Sequence, residues 1–429
     1  MPAHDVIRDP LWDNITLDEA ALGLVDTAPF QRLRYVRQLG HAFLVYPGAT
    51  HSRFEHALGA YHLTKRALGA LAVRRELTEI AEEEQLAVSM AALLHDIGHY
   101  PFSHALEEAG FPSHEAQGES RITTGVLQEQ LSAIGGAKFP ARVADLIRTR
   151  SASPLQGLIS GTLDLDKIDY LCRDSRMCGV PYGTVDVDRL LASITMVPSG
   201  SMGGRTLGVQ EKGVSALESL LFSKYQMYRN VYWHHAVRSA TCMFKRAARS
   251  ALRRGNVTEA QVSIVTDDEL MHLLIEVDGS ALARALRQRQ LYKRALDLPA
   301  GEVTATPEEW MADDPGLLEQ VEDALAREVG LEPGELLLDF PSRHSMLGVD
   351  LPLRLRDGTV ERLTDEGRAG QLGLPRVAQE LYRSARRLRV FVARPVTRDM
   401  TGVAGLAEMR GAEVLEAVDA GKSLLDAEA

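Results

Sequence analysis

The chain has 429 residues, 45% hydrophobic and 25% charged, with 59 acidic against 48 basic side chains and a formal net charge of -11. That is the balance of a folded globular protein, so collagen-like, disordered and disulfide-scaffold classes are excluded, while the length accommodates two or three domains or one large helical body with appendages. The acidic sum argues against a protein whose main work is coating nucleic acid, because phosphate binding draws on clustered Lys and Arg. Cys172, Cys178 and Cys242 form no CxxC pair, which points to a reducing compartment rather than a disulfide framework or a Cys-based zinc site. No stretch approaches the roughly 18 apolar residues of a membrane span, and the opening 14 residues are acidic and Pro-broken, so a cytoplasmic protein is expected.

From Ala20 to about Gly183 apolar residues recur at three- and four-residue spacing, the signature of helices, with Gly and Pro at the breaks. The run from Thr27 to Leu39 predicts a short basic helix with Phe30, Leu33, Val36 and Leu39 inward. After the Tyr46-Pro-Gly turn, Ser52 is the expected cap of a helix through Phe54, Leu58, Tyr61 and Ala67. Glu82 to His95 reads as a largely buried helix stopped at Gly98, and Gly161 to Arg176 as another. Met196 to Gly204 suggests a hairpin or loop insertion, Gly213 to Arg253 one long helix, and Glu335–Asp339 and Arg389–Ala393 strands. The last 29 residues carry six acidic and two basic side chains and predict a surface helix or a frayed tail.

Eight of the 13 histidines, His41, His51, His56, His62, His95, His99, His104 and His114, fall between positions 41 and 114. On the helix carrying Asp164-Leu-Asp-Lys-Ile-Asp-Tyr170, a turn of about 100° per residue puts Asp166, Tyr170, Asp174 and Lys167 within about 100° of one another. A solvated face with intrahelical ion pairs is the bland alternative for that stripe. His56, His95, Asp96 and Asp166, on three helices, make a mixed nitrogen and oxygen set suited to one divalent ion of Mn, Fe, Zn or Ni type, or less ideally Mg.

His51-Ser-Arg-Phe-Glu-His56, His95-Asp-Ile-Gly-His-Tyr-Pro-Phe-Ser-His104 and Asp164-Leu-Asp-Lys-Ile-Asp-Tyr170 together resemble the HD-domain metal-dependent phosphohydrolases. Within them, Phe30-Gln-Arg-Leu-Arg-Tyr-Val-Arg-Gln-Leu-Gly40 and Tyr46-Pro-Gly-Ala-Thr-His51 are similar to the deoxynucleoside triphosphate triphosphohydrolase branch that includes the mammalian sterile-alpha-motif-and-HD enzyme. The resemblance implies a mainly α fold: an HD helical core over 1–260, a smaller mixed α/β region over 261–400 and an acidic tail over 401–429. It implies metal ligation by His56, His95, Asp96 and Asp166. Phosphate contacts then fall on Arg53, Lys167 and Arg229, with His99 and His104 near the metal and phosphates. Tyr170 serves phosphate or sugar, Gln38 and Asp174 the sugar hydroxyl, and Leu39 the base. The catalytic histidine aligns with His114 and its acidic partner with Glu107; a surface-loop histidine is the alternative for His114.

The resemblance thins in Tyr228-Arg-Asn-Val-Tyr-Trp-His-His-Ala-Val237, where Trp233 and Val237 stand at the family's phosphate-contacting His and sugar-stacking Tyr. His234 and His235 replace them if the register shifts; the alternative is that they are exposed helix residues with no role. Regulated members bind a guanine nucleotide between subunits at positions that fall on Asp26, Gln31 and Arg34, which are equally compatible with helix capping and surface pairing. The expected activity is metal-dependent hydrolysis of dNTPs to deoxynucleoside and triphosphate, with GTP or a dNTP as activator and a homo-oligomeric dimer or tetramer as the assembly. Another HD phosphohydrolase acting on a monophosphate, cyclic nucleotide or alarmone, or a nucleotide sensor with little turnover, is the alternative.

Overall fold

The computed structural model describes residues 5–199, 204–304, 308–342, 350–364 and 374–426. Helices dominate. In chain order the first are α1 (Glu19–Val25), α2 (Ala28–Arg32), α3 (Arg53–Val73), α4 (Glu82–Leu94), α5 (His114–Ile122), α6 (Gly125–Gly135), α7 (Phe139–Ile147), α8 (Leu165–Cys178) and α9 (Val187–Ser193). They are followed by α10 (Val214–Met227), α11 (His235–Arg253), α12 (Glu259–Ile264) and α13 (Asp267–His272).

Local chemistry sets the helix ends. α3 starts on a capping box in which the Ser52 backbone N–H donates to the Glu55 carboxylate, as the Ser52 hydroxyl does at 2.9 Å. Asp164 caps α8 by accepting from the Lys167 N–H at 3.2 Å, and Gly179, with φ +69°, closes its other end. The helix over the basic run is shorter than its periodicity predicts: it passes into a 3-10 turn at Leu33–Tyr35, and Val36 is extended. Phe30, Leu33 and Val36 are fully buried all the same.

The long helix expected over 213–253 is two helices. Between α10 and α11, Tyr228–Tyr232 forms a π turn, Trp233 leaves helical geometry, and His234 caps α11 by accepting from the Ala236 N–H at 3.2 Å.

Strands β1 (Asp5–Asp9) and β2 (Asp13–Leu17) form an antiparallel pair; β3 (Ile194–Pro198) and β4 (Arg205–Gln210) form the expected hairpin. The remaining strands are β5 (Lys293–Pro299), β6 (Leu336–Asp339), β7 (Leu351–Arg354), β8 (Val360–Leu363) and β9 (Arg387–Val392). β4 pairs parallel with β7, which pairs with β8, while β9 lies between β5 and β6. One apolar core joins α3, α4, α7, α8 and α10; a second lies under β5, β6 and β9. A third, built on Met243 and Phe244 of α11, includes Leu337 of β6 and Phe391 of β9 and so welds the two halves. Val403, Leu406, Val414 and Leu424, in the acidic C-terminal segment, are buried in the second core. That segment is therefore packed against the mixed α/β region, its charges on the outer face of a buried apolar stripe. No helix among the described residues is long and apolar enough to cross a membrane.

Candidate active site

α3 packs against both α4 and α8, and the three deliver one side chain each to a single point. His56 of α3 and His95, at the end of α4, bring their Nε2 atoms to 3.2 Å; Asp166 of α8 places Oδ1 2.8 Å from His56 Nε2 and 3.5 Å from His95 Nε2. Asp96 stands beside them, Oδ1 3.4 Å from His95 Nε2 and Oδ2 3.6 Å from His56 Nε2. The two imidazoles and the Asp166 carboxylate, crowded to these separations, fit a divalent cation, with Asp96 standing alongside; the cation would take the place of the protons and hydrogen bonds that otherwise hold such groups together. Burial pushes His56 toward neutrality, yet its bonds to Asp166 and Asp169 and their charges raise its pKa to about 10. Burial works against both carboxylates. It is outweighed at Asp96 by the charges of Arg53 and the neighbouring histidines, and at Asp166 by hydrogen bonds from His56 and His95, so both remain well below the usual carboxylate range.

The tautomers are set from behind. His95 Nδ1 donates to the Ala92 carbonyl at 2.8 Å, and His56 Nδ1 lies 2.7 Å from Asp169 Oδ2, so in the neutral rings, from which a cation would displace the proton, each Nε2 lone pair would face the cluster. Asp169 is held by Arg173 through two bonds of 2.9 Å and by Trp12 Nε1 at 2.5 Å; Arg173 also donates to Asp9 at 2.8 Å. Asp169 and Arg173 have no exposed surface, and Gly59 of α3 lies so close that a Cβ there would stand 1.8 Å from Asp169 Oδ1. Sequence reading missed this support. Asp169, three residues after Asp166, turns by about 300°, onto the flank that packs on α3 rather than the stripe facing the cavity.

A second cluster adjoins the first. Glu107 Oε1 receives His114 Nδ1 at 3.0 Å and His104 Nδ1 at 3.2 Å, while His99 stacks on His114 with ring centroids 3.8 Å apart. His99 Nε2 is 3.1 Å from Asp96 Oδ1, which links the two clusters. Burial lowers the pKa of His114, but the bond and charge of Glu107 outweigh it and raise the value overall; Glu107 itself is held far below the carboxylate range by both histidines against its own desolvation. Gly98 permits the approach of α5: a Cβ there would stand 2.0 Å from the His114 carbonyl oxygen.

Both clusters open into a cavity of about 720 Å3 lined by Gln38, Leu39, Arg53, His95, Asp96, His99, His104, Glu107, His114, Asp166, Tyr170 and Asp174. Arg53 donates to Asp96 Oδ2 at 2.5 Å and to Ser103 Oγ at 3.0 Å. Asp174 takes His51 Nε2 at 2.7 Å on one oxygen and the Tyr232 hydroxyl at 2.7 Å on the other. Buried Gln38 keeps an Oε1 with no hydrogen-bond partner among the described residues. Trp233 and Val237 line the cavity, whereas His234 caps α11 and His235 follows it half-buried outside the lining. The C-terminal half supplies a wall that sequence reading left without a role: Met311, Leu318, Leu338, Asp339, Phe340 and Pro341.

Lys167 and Arg229 lie elsewhere. The Lys167 ammonium donates to Asp164 Oδ2 and to the Gly161 carbonyl, each at 2.6 Å, and faces a smaller cavity of about 210 Å3 shared with Lys224. Arg229 donates to the Tyr225 hydroxyl at 2.7 Å. Asp26 is exposed at the end of α1; Gln31 donates to the Val25 carbonyl at 2.8 Å and accepts from Arg34 Nε at 2.8 Å, with the Arg34 guanidinium 3.5 Å above the Phe54 ring.

Residues 53–174 match the HD domain family, and residues 185–398 match the HD associated region. Uncharacterized protein MJ1154 of Methanocaldococcus jannaschii is 37% identical over 292 residues, which cover 68% of this chain and 59% of that protein. Uncharacterized protein YwfO of Bacillus subtilis is 36% identical over 237 residues, 55% of this chain and 53% of its own. The deoxynucleoside triphosphate triphosphohydrolase SAMHD1 of Homo sapiens is 28% identical over 265 residues, 53% of this chain and 42% of its own. The chain thus spans about half the length of the curated relatives it matches. Among solved structures, a hypothetical protein from Aquifex aeolicus superposes with a TM-score of 0.71 at 28% identity, covering 91% of this chain and 97% of that one. The three-helix His/Asp centre and the matched regions agree: the chain belongs to the HD-domain phosphohydrolase family, with an HD domain followed by an HD-associated region.

Proposed function

We propose that the protein hydrolyses deoxynucleoside triphosphates to deoxynucleoside and triphosphate. The observation that carries this reading is the juxtaposition of the His56, His95 and Asp166 group, with Asp96 beside it, and the His114–Glu107 pair, both opening into one cavity. A divalent ion of Mn, Fe, Zn, Ni or Mg type supplies Lewis-acid polarisation of a phosphoryl oxygen and acidification of water there. Attack of water on the α-phosphorus breaks its bond to the 5′ oxygen, and the nucleoside leaves needing a proton. His114 gives it from Nε2, since Nδ1 is bonded to Glu107, whose hydrogen bond and charge raise the ring's pKa and favour its charged form. Arg53, braced by Asp96 and Ser103, binds phosphate with its fork of donors. His99 and His104 line the phosphate path. Gln38, with its free Oε1, and Asp174 receive the sugar hydroxyl, Tyr170 the sugar or phosphate, and Leu39 the base.

In this reading Lys167 and Arg229 reach phosphate only by exchanging their present partners. Activation by GTP or a dNTP at Asp26, Gln31 and Arg34, between subunits of a homo-oligomer, belongs to the same proposal; a monomer by light scattering with activity indifferent to added nucleotide removes that part. Trp233 and Val237 in the lining favour a second reading, in which the substrate is another nucleotide such as a monophosphate, a cyclic nucleotide or an alarmone. Incubating the protein with all four dNTPs and Mn or Mg, with and without GTP, separates the two. Triphosphate and deoxynucleoside are the expected products; orthophosphate or monophosphate without triphosphate overturns the first reading.

A further inference from the structure

Asp267, the first residue of α13, lies outside the matched HD domain and inside the HD-associated region. It is buried and carries no sequence motif, yet its carboxylate gathers a loop that ends at the metal cluster. Oδ1 accepts from the Phe102 backbone N–H at 2.8 Å; Oδ2 accepts from the Arg37 backbone N–H at 3.1 Å and from Arg37 Nη1 at 3.2 Å. The loop it holds is conformationally unusual. Phe102 and Ser103 both adopt left-handed backbone geometry, φ +58° and +59°, which side chains other than Gly rarely take. Such a pair persists only where its surroundings over-determine it. The His41 ring stacks on Phe102 at 4.3 Å, Gly40 leaves room for the Phe102 carbonyl, and Asp267 fixes the amide.

The product of that geometry is the placement of Ser103. Its hydroxyl donates to the Arg37 carbonyl at 2.7 Å and accepts from Arg53 Nε at 3.0 Å, while Arg53 Nη1 donates to Asp96. Arg37 and Phe102, the two residues tied by Asp267, thus flank the hydroxyl that orients Arg53, and Arg53 orients Asp96. Arg53 is the support one bond removed from Asp96, and loss of a support at that distance commonly changes metal affinity about 10–100-fold; Ser103 and Asp267 act through it from further out.

We propose that Asp267 is a positioning residue of the active site: through the Phe102–Ser103 turn and Arg53 it sets the orientation of Asp96, so that the HD-associated region completes the metal centre. This rests on the reading of Asp96 and Asp166 as ligands. The test is Mn2+ affinity, measured by titration calorimetry on the full chain for wild type, Asp166→Ala, Asp267→Ala, Asp267→Asn and Ser103→Ala, with folding checked by circular dichroism. Asp267→Ala and Ser103→Ala are expected to weaken Mn2+ binding about three- to tenfold, at or below the lower end of the range for a direct support. Asp267→Asn, which keeps an oxygen acceptor for one backbone amide, is expected to recover part of it, and exposed Asp268→Ala to match wild type. A purely structural Asp267 would lower the melting temperature and leave the Mn2+ dissociation constant of the folded protein unmoved.

Dissociation constants within twofold of wild type in folded Asp267→Ala and in Ser103→Ala overturn the inference. If Asp267→Ala does not fold, Ser103→Ala and Asp267→Asn decide alone. Unchanged binding in Asp166→Ala, or in Asp96→Ala measured beside it, overturns instead the ligand reading beneath it, a separate and recognisable failure.

Discussion

Gly59 offers a severe test of how the HD helices are held. A Cβ at this position would stand 1.8 Å from Asp169 Oδ1 and 2.6 Å from Arg173 Nη2, where ordinary contact begins at 3.4 Å. In Gly59→Ala, α3 and α8 must therefore separate by roughly 1.5 Å, or Asp169 must turn away. Turning is expensive, because Asp169 is bonded to His56, Trp12 and Arg173, and Arg173 is fully buried. Overpacking by one methyl costs about 1–3 kcal/mol, and breaking a buried ion pair about 3–5 kcal/mol. The smaller route still moves His56 against His95. The expected outcome is a loss of about 2–4 kcal/mol in urea denaturation, read as a lower midpoint at unchanged slope, together with reduced bound metal by plasma emission analysis. A variant within 0.5 kcal/mol of wild type and fully loaded with metal refutes the argument that this contact is rigid.

Asp169→Asn can still accept a bond from His56 but leaves Arg173 with Asp9 as its one carboxylate partner. It is expected to weaken metal binding about 10–100-fold, and affinity equal to wild type contradicts the role given to that bond. Glu107 raises the pKa of His114, so the charged imidazole is present below that raised value and lost as pH climbs through it; Glu107→Gln is expected to move the alkaline limb of the rate profile to lower pH, and an unmoved limb counts against His114 as the acid. Glu322 is raised to about 7 by burial, against the opposing charge of Arg246. The stability tied to its neutral form is complete below the unfolded carboxyl value and is lost as pH rises through about 7, a change on the order of 3 kcal/mol. Glu322→Gln stays neutral, so its stability relative to wild type is expected to grow between pH 5 and pH 8 in urea melts; a constant difference rejects this.

Much of the site is legible because its residues are local in sequence or share one helix face. His95 and Asp96 are adjacent at the end of a buried helix, and Asp166, Tyr170 and Asp174 all line the cavity, as their angular spacing predicts. The same spacing put Lys167 at the edge of that face, and Asp164, one turn back, draws its ammonium away. The expected helix over 213–253 failed because its break contains no Gly or Pro; the π turn and the His234 cap occur within an uninterrupted apolar rhythm.

By itself the sequence determined the helical class and the start of the helix at Ser52, and it singled out His56, His95, Asp96 and Asp166 as candidates, since these follow from periodicity, short-range hydrogen bonding and donor chemistry. Tertiary structure alone decided which groups hold that set in place. Trp12 meets Asp169 across 157 residues of chain and Asp9 meets Arg173 across 164, Asp267 reaches Phe102 across 165, and Phe340 closes the cavity from the C-terminal half. The physical reason is that a buried charge needs a partner wherever packing brings one, and packing brings together residues that no periodicity relates.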